Sequence, residues 1–167
     1  IILQDILRIN DAFKSGEIRN NNYIKKIKQN CKRIHLVGVL SDGGVHGHQD
    51  HLFELIKIFK EKEVFIHGIL DGRDTSPISG IESVKILQNK INKFKNIQVG
   101  SLSGRFYAMD RDNRWERIEK AYRAIIDGTS KKTKSFVKSI ENSYVKHITD
   151  EFFLPINLSL IHISEPT

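Results

Sequence analysis

The chain has little cysteine, proline, methionine or tryptophan. Of its 167 residues, one is cysteine (Cys31), and no internal disulfide can form; this is typical of proteins of the reducing cytoplasm. No apolar run reaches the ~20 residues that a membrane-spanning helix needs. The opening residues, IILQDILRIN, lack the charged start and cleavage site of a secretory signal. We therefore expect a cytoplasmic protein without membrane association.

Positive charge exceeds negative charge, with 27 Lys and Arg residues against 20 Asp and Glu and a formal net charge of +7. This balance favours an anionic partner such as nucleic acid, a membrane surface or a phosphorylated metabolite. The lysines are spread along the chain, however, with no dense basic run and no aromatic-glycine RNA-binding signature. Most of them are typical of a solvated surface, and we expect no nucleic-acid partner.

Apolar runs and helical patterns alternate along the chain. The runs over residues 34–40, 64–70 and 96–103 predict strands, and helical spacing covers 1–15, 23–33, 48–62 and 80–94. A long helix is expected after residue 104, reaching about residue 126. Strand, loop and helix repeated three times predict an α/β fold, with three α/β/α layers and a mainly parallel or mixed sheet.

Each predicted strand ends in a polar segment marked by glycine. These segments are SDGGVHGH (41–48), DGRD (71–74) and GRFYAMDR (104–111). In open α/β sheets, ligands bind beyond the carboxyl ends of the strands. The three segments together therefore predict a binding site at that edge of the sheet.

The arginines of these segments are candidates for binding an anion. The planar guanidinium group binds phosphate or carboxylate through two parallel hydrogen bonds. Arg73 and Arg105 each follow a glycine at a strand end and are the better candidates. Arg114, Arg117 and Arg123 lie along a predicted helix, where surface ion pairs are the simpler interpretation.

Asp74, directly after Arg73, has two open interpretations. A carboxylate beside a guanidinium stays ionised and can accept a proton from a substrate hydroxyl. Asp74 could equally cap the following turn or pair with Arg73. The residues alone do not decide between these roles.

Three histidines, His46, His48 and His51, lie close together in the first polar segment. His46 and His48, with Asp42 or His51, could form a metal site. Against this, His48 and Asp50 stand where a helix begins, and His51 has the position of a surface residue. His46 alone is placed like a ligand-binding group, and His67, inside an apolar strand, is expected to be a hydrogen-bonded core residue.

Four segments carry a resemblance to a known family. LSDGGVHGHQDHL, HGILDGRD, SGRFYAMDRDNRWERIEKAYRAI and YVKHITDEFFLP closely resemble segments of the cofactor-independent phosphoglycerate mutases, in the same order. The resemblance implies interconversion of 3-phosphoglycerate and 2-phosphoglycerate through a phosphoserine, without 2,3-bisphosphoglycerate. It also implies a second, phosphatase-like domain that holds two divalent metal ions, manganese or magnesium.

The resemblance assigns roles to individual residues. His46, Arg73, Asp74, Arg105 and Arg111 match the family's substrate-binding positions, and Asp74 matches the proposed acid/base that handles the hydroxyl protons of the glycerate. No metal ligand falls within the chain. Gly47, where serine is common, is a mild departure from the family pattern.

The resemblance also divides the chain. Residues 1–16 correspond to a lead-in helix from the phosphatase-like domain, and residues 17–157 to most of the inserted substrate-binding domain. Residues 158–167 equal the in-frame translation of a transposase adapter used in sequencing libraries, so we expect an artefact there. The nucleophilic serine and the metal ligands fall outside the chain, which is therefore expected to be inactive alone; its partner is the missing domain of a monomeric longer protein.

Two alternatives differ from this interpretation. One is a metal-dependent hydrolase that uses the His46 and His48 cluster. The other is a non-catalytic module that binds anions.

Overall fold

Three parallel strands run from one edge of the sheet to its centre in the computed structural model, which describes residues 5–158. Strands β1 (Arg33–Val39), β2 (Glu63–Leu70) and β3 (Ile97–Gly104) lie side by side in chain order. Strand β2 is mostly apolar and is buried along nearly its whole length, whereas buried and exposed residues alternate at the start of β1, which is covered on one face only. The parallel arrangement brings their carboxyl ends to one edge, as predicted.

Two short strands make the sheet mixed. Strand β4 (Lys131–Thr133) and strand β5 (Ile156–Leu158) extend it to the order β1-β2-β3-β5-β4. Strand β5 is antiparallel to β3 and parallel to β4. The predicted α/β class with a mainly parallel or mixed sheet is confirmed.

The helices pack around this sheet. They are α1 (Asp5–Lys14), α2 (Glu17–Asn20), α3 (Asn22–Asn30), α4 (Gln49–Phe59), α5 (Gly80–Ile91), α6 (Arg105–Ala108), α7 (Trp115–Ile126) and α8 (Phe136–Val145), and a 3₁₀ turn covers Asp150–Phe152. Apolar side chains of α4, α5 and α8 form one core with the strands, including Phe53, Ile56, Val84, Leu87 and Ile140. Burial of this apolar surface is the main stabilising contribution to the domain.

The prediction of one long helix after residue 104 is wrong. Helices α6 and α7 are separated by residues 109–114. The Asp110 Oδ2 atom accepts hydrogen bonds from the backbone N–H groups of Asp112 (3.2 Å) and Arg114 (2.8 Å). Asn113 has a left-handed backbone with φ of 58°. A side chain that bonds nearby backbone groups competes with the helix, and here it closes a loop instead.

Residues 1–4 and 159–167 lie outside the described part of the chain. The predicted lead-in helix includes α1, and of the predicted artefact only Leu158 falls within the described residues, in β5. Among residues 5–158, none of the helices combines the length and apolarity that a membrane crossing requires.

Candidate functional site

A buried ion-pair cluster joins the polar segments that follow β2 and β3. The Arg105 Nη1 atom lies 2.6 Å from Asp71 Oδ1 and 2.6 Å from Asp74 Oδ2. From the segment after β1, His46 Nε2 lies 4.0 Å from the same oxygen of Asp74. The expected convergence at the carboxyl edge of the sheet therefore occurs, and it brings His46, Asp74 and Arg105 together.

Asp71 is the most connected residue of this cluster. Its carboxylate accepts hydrogen bonds from Ser41 Oγ (2.8 Å) and from the backbone N–H groups of Arg73 (3.2 Å) and Asp74 (3.1 Å), in addition to Arg105. Burial alone would raise the pKa of Asp71, but these hydrogen bonds hold it below its usual value. Asp71 is therefore an ionised carboxylate inside the protein. Asp71 and Ser41 begin two of the polar segments expected to form the site, but the sequence alone does not single out either one.

Arg105 is positioned by these carboxylates at the first residue of α6. It is only 7% exposed. Burial opposes its charge, but hydrogen bonds to Asp74 and Asp71 raise its pKa above the usual value. A guanidinium has five N–H donors, and the described contacts use Nη1 alone. Within residues 5–158, Nε and Nη2 have no protein partner, so they are free to bind an anion.

Asp74 and His46 lie on the open side of the cluster. The side chain of Asp74 is 24% exposed and that of His46 is 51% exposed. A β-carbon added to Gly43 would lie 3.2 Å from the backbone oxygen of Asp74, so the two loops approach closely only because glycine stands there. A carboxylate that is both charge-paired and open to solvent can exchange a proton with a bound hydroxyl.

Arg73 extends away from the ion-pair cluster. Its Nε atom lies 3.8 Å from Glu151 Oε1, and half of its side chain is exposed. Gly72, with φ of 71°, turns the chain at this point, and a β-carbon there would lie 2.7 Å from the Glu151 backbone nitrogen. Glu151 belongs to the segment YVKHITDEFFLP, which is the only signal in the sequence that could have indicated it.

Arg111 lies in the loop between α6 and α7. It is exposed and takes part in none of the ion pairs found among the described residues. The loop itself is anchored by the buried carboxylate of Asp110, which lies 2.9 Å from Arg117 Nη1. The structure thus places Arg111 in the loop after α6, outside the ion-pair cluster.

Three other histidines, His48, His51 and His67, have structural roles. His48 Nδ1 accepts a hydrogen bond from the Asp50 backbone N–H (3.1 Å) at the start of α4, as its position predicted. His51 Nε2 lies 2.5 Å from Asn10 Oδ1. His67 is buried and hydrogen-bonded, as expected, and burial with a neighbouring histidine lowers its pKa to about 4. No group of three or more His, Cys, Asp or Glu side chains in residues 5–158 is arranged to hold a metal ion.

A cavity of about 440 Å³ lies elsewhere, along the outer edge of β1. It is lined by α1, β1, α4 and several histidines, and His46 borders it whereas Asp74 and Arg105 do not. Its walls are mainly apolar and contribute no buried cation. The Arg105 cluster is the better candidate for the site, because a guanidinium group near the carboxyl ends of the strands is suited to bind a small anion.

The fold and the cluster define an α/β domain with a buried ion-pair cluster at the carboxyl edge of its sheet. Residues 9–164 match the family model described as "BPG-independent PGAM N-terminus (iPGM_N)". The chain belongs to this family. The predicted resemblance is confirmed.

Similar curated proteins and a similar solved structure are also named as phosphoglycerate mutases. The 2,3-bisphosphoglycerate-independent phosphoglycerate mutase of Lachnoclostridium phytofermentans is 40% identical over 93% of the chain, and that of Clostridium perfringens is 44% identical over 93%. A crystal structure of Leishmania mexicana phosphoglycerate mutase at low cobalt concentration covers 95% of the chain, with a TM-score of 0.89 and 26% identity. The chain spans 32% of the length of each of these proteins.

Proposed function

We propose that the chain is the glycerate-binding part of a phosphoglycerate mutase, an isomerase that interconverts 3-phosphoglycerate and 2-phosphoglycerate through a phosphoserine. The observation that supports this most is the buried Arg105 beside Asp74 and His46, whose Nε and Nη2 atoms have no partner among residues 5–158. Its membership of the family supports the same function.

Each site residue has a role in this proposal. Arg105 binds a charged oxygen of the substrate, and Arg73 and Arg111, both exposed, add positive charge at the same edge. Asp74 accepts a proton from the glycerate hydroxyl and later returns it, and His46 hydrogen-bonds the substrate. Phosphoryl transfer depends mostly on positioning and charge stabilisation, which these residues supply.

The rest of the chemistry belongs to the longer protein in this proposal. The matched relatives are named as independent of 2,3-bisphosphoglycerate. Two divalent metal ions, manganese or magnesium, and the nucleophilic serine would come from a phosphatase-like domain. The described residues do not fit a metal ion, so no step of the proposal within this chain uses one. We place the longer protein in the cytoplasm as a monomer.

Calorimetric titration of the chain with 3-phosphoglycerate tests this function. We expect saturable binding that Arg105→Met weakens about tenfold or more, because one charged hydrogen bond is worth roughly 1.5–3 kcal/mol. Arg123→Met is the matched control, since Arg123 pairs with Glu119 on the surface of α7. Equal binding of phosphoglycerate and sulfate would instead indicate a non-specific anion module, and unchanged affinity in Arg105→Met would contradict the proposed site.

A further inference from the structure

Arg105 has two carboxylate partners that differ in their surroundings. Asp71 and Asp74 both lie 2.6 Å from the same Nη1 atom. The side chain of Asp71 is 4% exposed, whereas that of Asp74 is 24% exposed. The two carboxylates therefore lie equally close to Arg105 but differ in their exposure to solvent.

Asp71 is held independently of Arg105. Ser41 Oγ and the backbone N–H groups of Arg73 and Asp74 all donate to it. If Asp71 moved away, the buried Ser41 hydroxyl and two partly buried backbone N–H groups would lose their acceptor, and a buried guanidinium would lose a charge partner. Asp71 is the permanent partner of Arg105.

Asp74 has fewer attachments. Apart from Arg105, the described contact of its carboxylate is with the exposed His46 ring at 4.0 Å. Its carboxylate can turn toward water without leaving a buried donor unpaired, because Asp71 still neutralises Arg105. Asp74 is therefore the exchangeable partner.

An anion that binds at Arg105 meets this arrangement directly. Two carboxylates already surround one guanidinium, and a third negative group close to Asp74 is repelled by it. The repulsion displaces Asp74 at the lower free-energy cost, because water can stabilise its carboxylate after it leaves Arg105. Departure of Asp74 from the cation also makes it a better proton acceptor, since a neighbouring cation stabilises the ionised form of a carboxylate.

We propose that Asp71, supported by Ser41, is the positioning residue that holds Arg105 at the sheet edge, and that a bound anion displaces Asp74 from Arg105 and leaves Asp74 free to accept a proton. The second part rests on the proposed function. In that setting, substrate binding would itself prepare the base. The positioning of Arg105 by Asp71 requires no ligand and can be tested separately.

The ligand-free test is NMR of the guanidinium groups in Asp71→Asn and Asp74→Asn. A guanidinium held by a fixed partner shows resolved Nη protons, whereas a freely rotating one gives averaged signals. We expect the resolved Arg105 signals to disappear in Asp71→Asn and to persist in Asp74→Asn. Arg117, which pairs with Asp110, serves as an internal control of folding in both variants. Loss of the signals in Asp74→Asn with persistence in Asp71→Asn would overturn the positioning role.

The displacement is tested with inorganic phosphate as the probe. Removing the competing charge in Asp74→Asn should tighten phosphate binding severalfold, and Asp71→Asn should weaken it about tenfold. In an Arg105→Met background, Asp71→Asn should have no further effect, which separates positioning from general destabilisation. Unchanged or weaker phosphate binding in Asp74→Asn, or no phosphate binding by any variant, would overturn the displacement. If Asp74→Asn tightens phosphate binding but phosphoglycerate binds no better than phosphate, the displacement stands and the proposed function fails.

Discussion

The two ends of the sheet carry positive charge in different ways. At the carboxyl edge, Arg105 is buried and is bonded to Asp71 and Asp74. At the amino end, where α3, α4 and α5 finish, a cavity of about 570 Å³ is lined by six cationic residues, namely Arg19, Lys25, Lys28, Lys57, Lys60 and Lys93. The number of cations would favour the amino end as the anion site.

The position and the solvation of the cations instead favour the carboxyl edge as the anion site. Helices α3, α4 and α5 point their C-terminal ends at the amino end of the sheet, and each carries roughly half a negative charge there. The lysines complement those helix ends and keep their charge in water, which is the common solvated arrangement. Arg105 instead has a low-dielectric surrounding and fixed partners, so each of its hydrogen bonds is oriented before a ligand arrives. Preorganisation matters more here than net charge.

The largest expected difference between the two ends is in stability. Asp71→Ala should lower the free energy of unfolding by about 3–5 kcal/mol, because it leaves a buried guanidinium with one exchangeable partner. Glu54→Ala is the matched change at the amino end, where Glu54 pairs with Arg19 and Lys57, and should cost about 1 kcal/mol or less. Urea unfolding followed by circular dichroism measures both, and similar losses would remove the distinction.

Ligand affinity gives the next largest effect. Arg105→Met should reduce phosphoglycerate affinity by roughly 1.5–3 kcal/mol. The double change Lys25→Ala and Lys28→Ala should alter it by less than about twofold, since long-range charge effects across a domain are largely screened. Isothermal titration of both variants with phosphoglycerate measures the two losses of affinity. A larger loss from the lysine pair would move the anion site to the amino end.

Acid unfolding provides a third comparison. The pKa of Asp71 is lowered in the folded protein, so its stabilising contribution is present above the unfolded value of ~3.9 and is lost as the pH falls through the folded value. The stability difference between the wild-type chain and Asp71→Asn should therefore shrink below about pH 4. Unfolding midpoints in urea at several pH values test this. A difference that stays constant to low pH would mean that Asp71 is not ionised in the folded chain.

Salt dependence is the smallest expected effect. Phosphate binding at Arg105 should weaken only a few-fold between low and physiological ionic strength, because buried pairs are screened less than exposed ones. Any weak phosphate binding by the amino-end lysines should disappear over the same range. Titrations of Arg105→Met and of the Lys25 and Lys28 double variant separate the two contributions. A steep salt dependence that survives in the lysine variant would contradict the buried-site interpretation.

The sequence predicted the elements of the fold more reliably than their junctions. The three apolar runs became β1, β2 and β3. Strand β2 is buried along nearly its whole length, as a continuous apolar run predicts, whereas β1 is covered on one face only. The helix after residue 104 was mispredicted because the carboxylate of Asp110 bonds the backbone of Asp112 and Arg114. Periodicity reports on side-chain faces, and it contains no information on such a local competitor.

The site was predicted in part. Arg105 and His46 could be chosen because each lies near a strand end beside a glycine, whereas Asp74 was assigned only through the family resemblance. Asp71 and Ser41 each begin one of the predicted polar segments, but their importance arises from a long-range hydrogen bond that joins segments 30 residues apart. The structure places Arg73 beside Glu151 and leaves Arg111 exposed, and their role toward the substrate stays a prediction.

The sequence by itself determined the α/β class, the edge of the sheet at which the polar segments meet, and the family. These depend on local pattern, strand ends and four separate motifs. Only the tertiary structure decided which charges are buried, that Arg105 has two carboxylate partners, and that one of them is fixed while the other is open to water. Burial and hydrogen-bond geometry come from segments far apart in the chain, and a charge acquires its chemical role only when its distances and its solvent exposure are known.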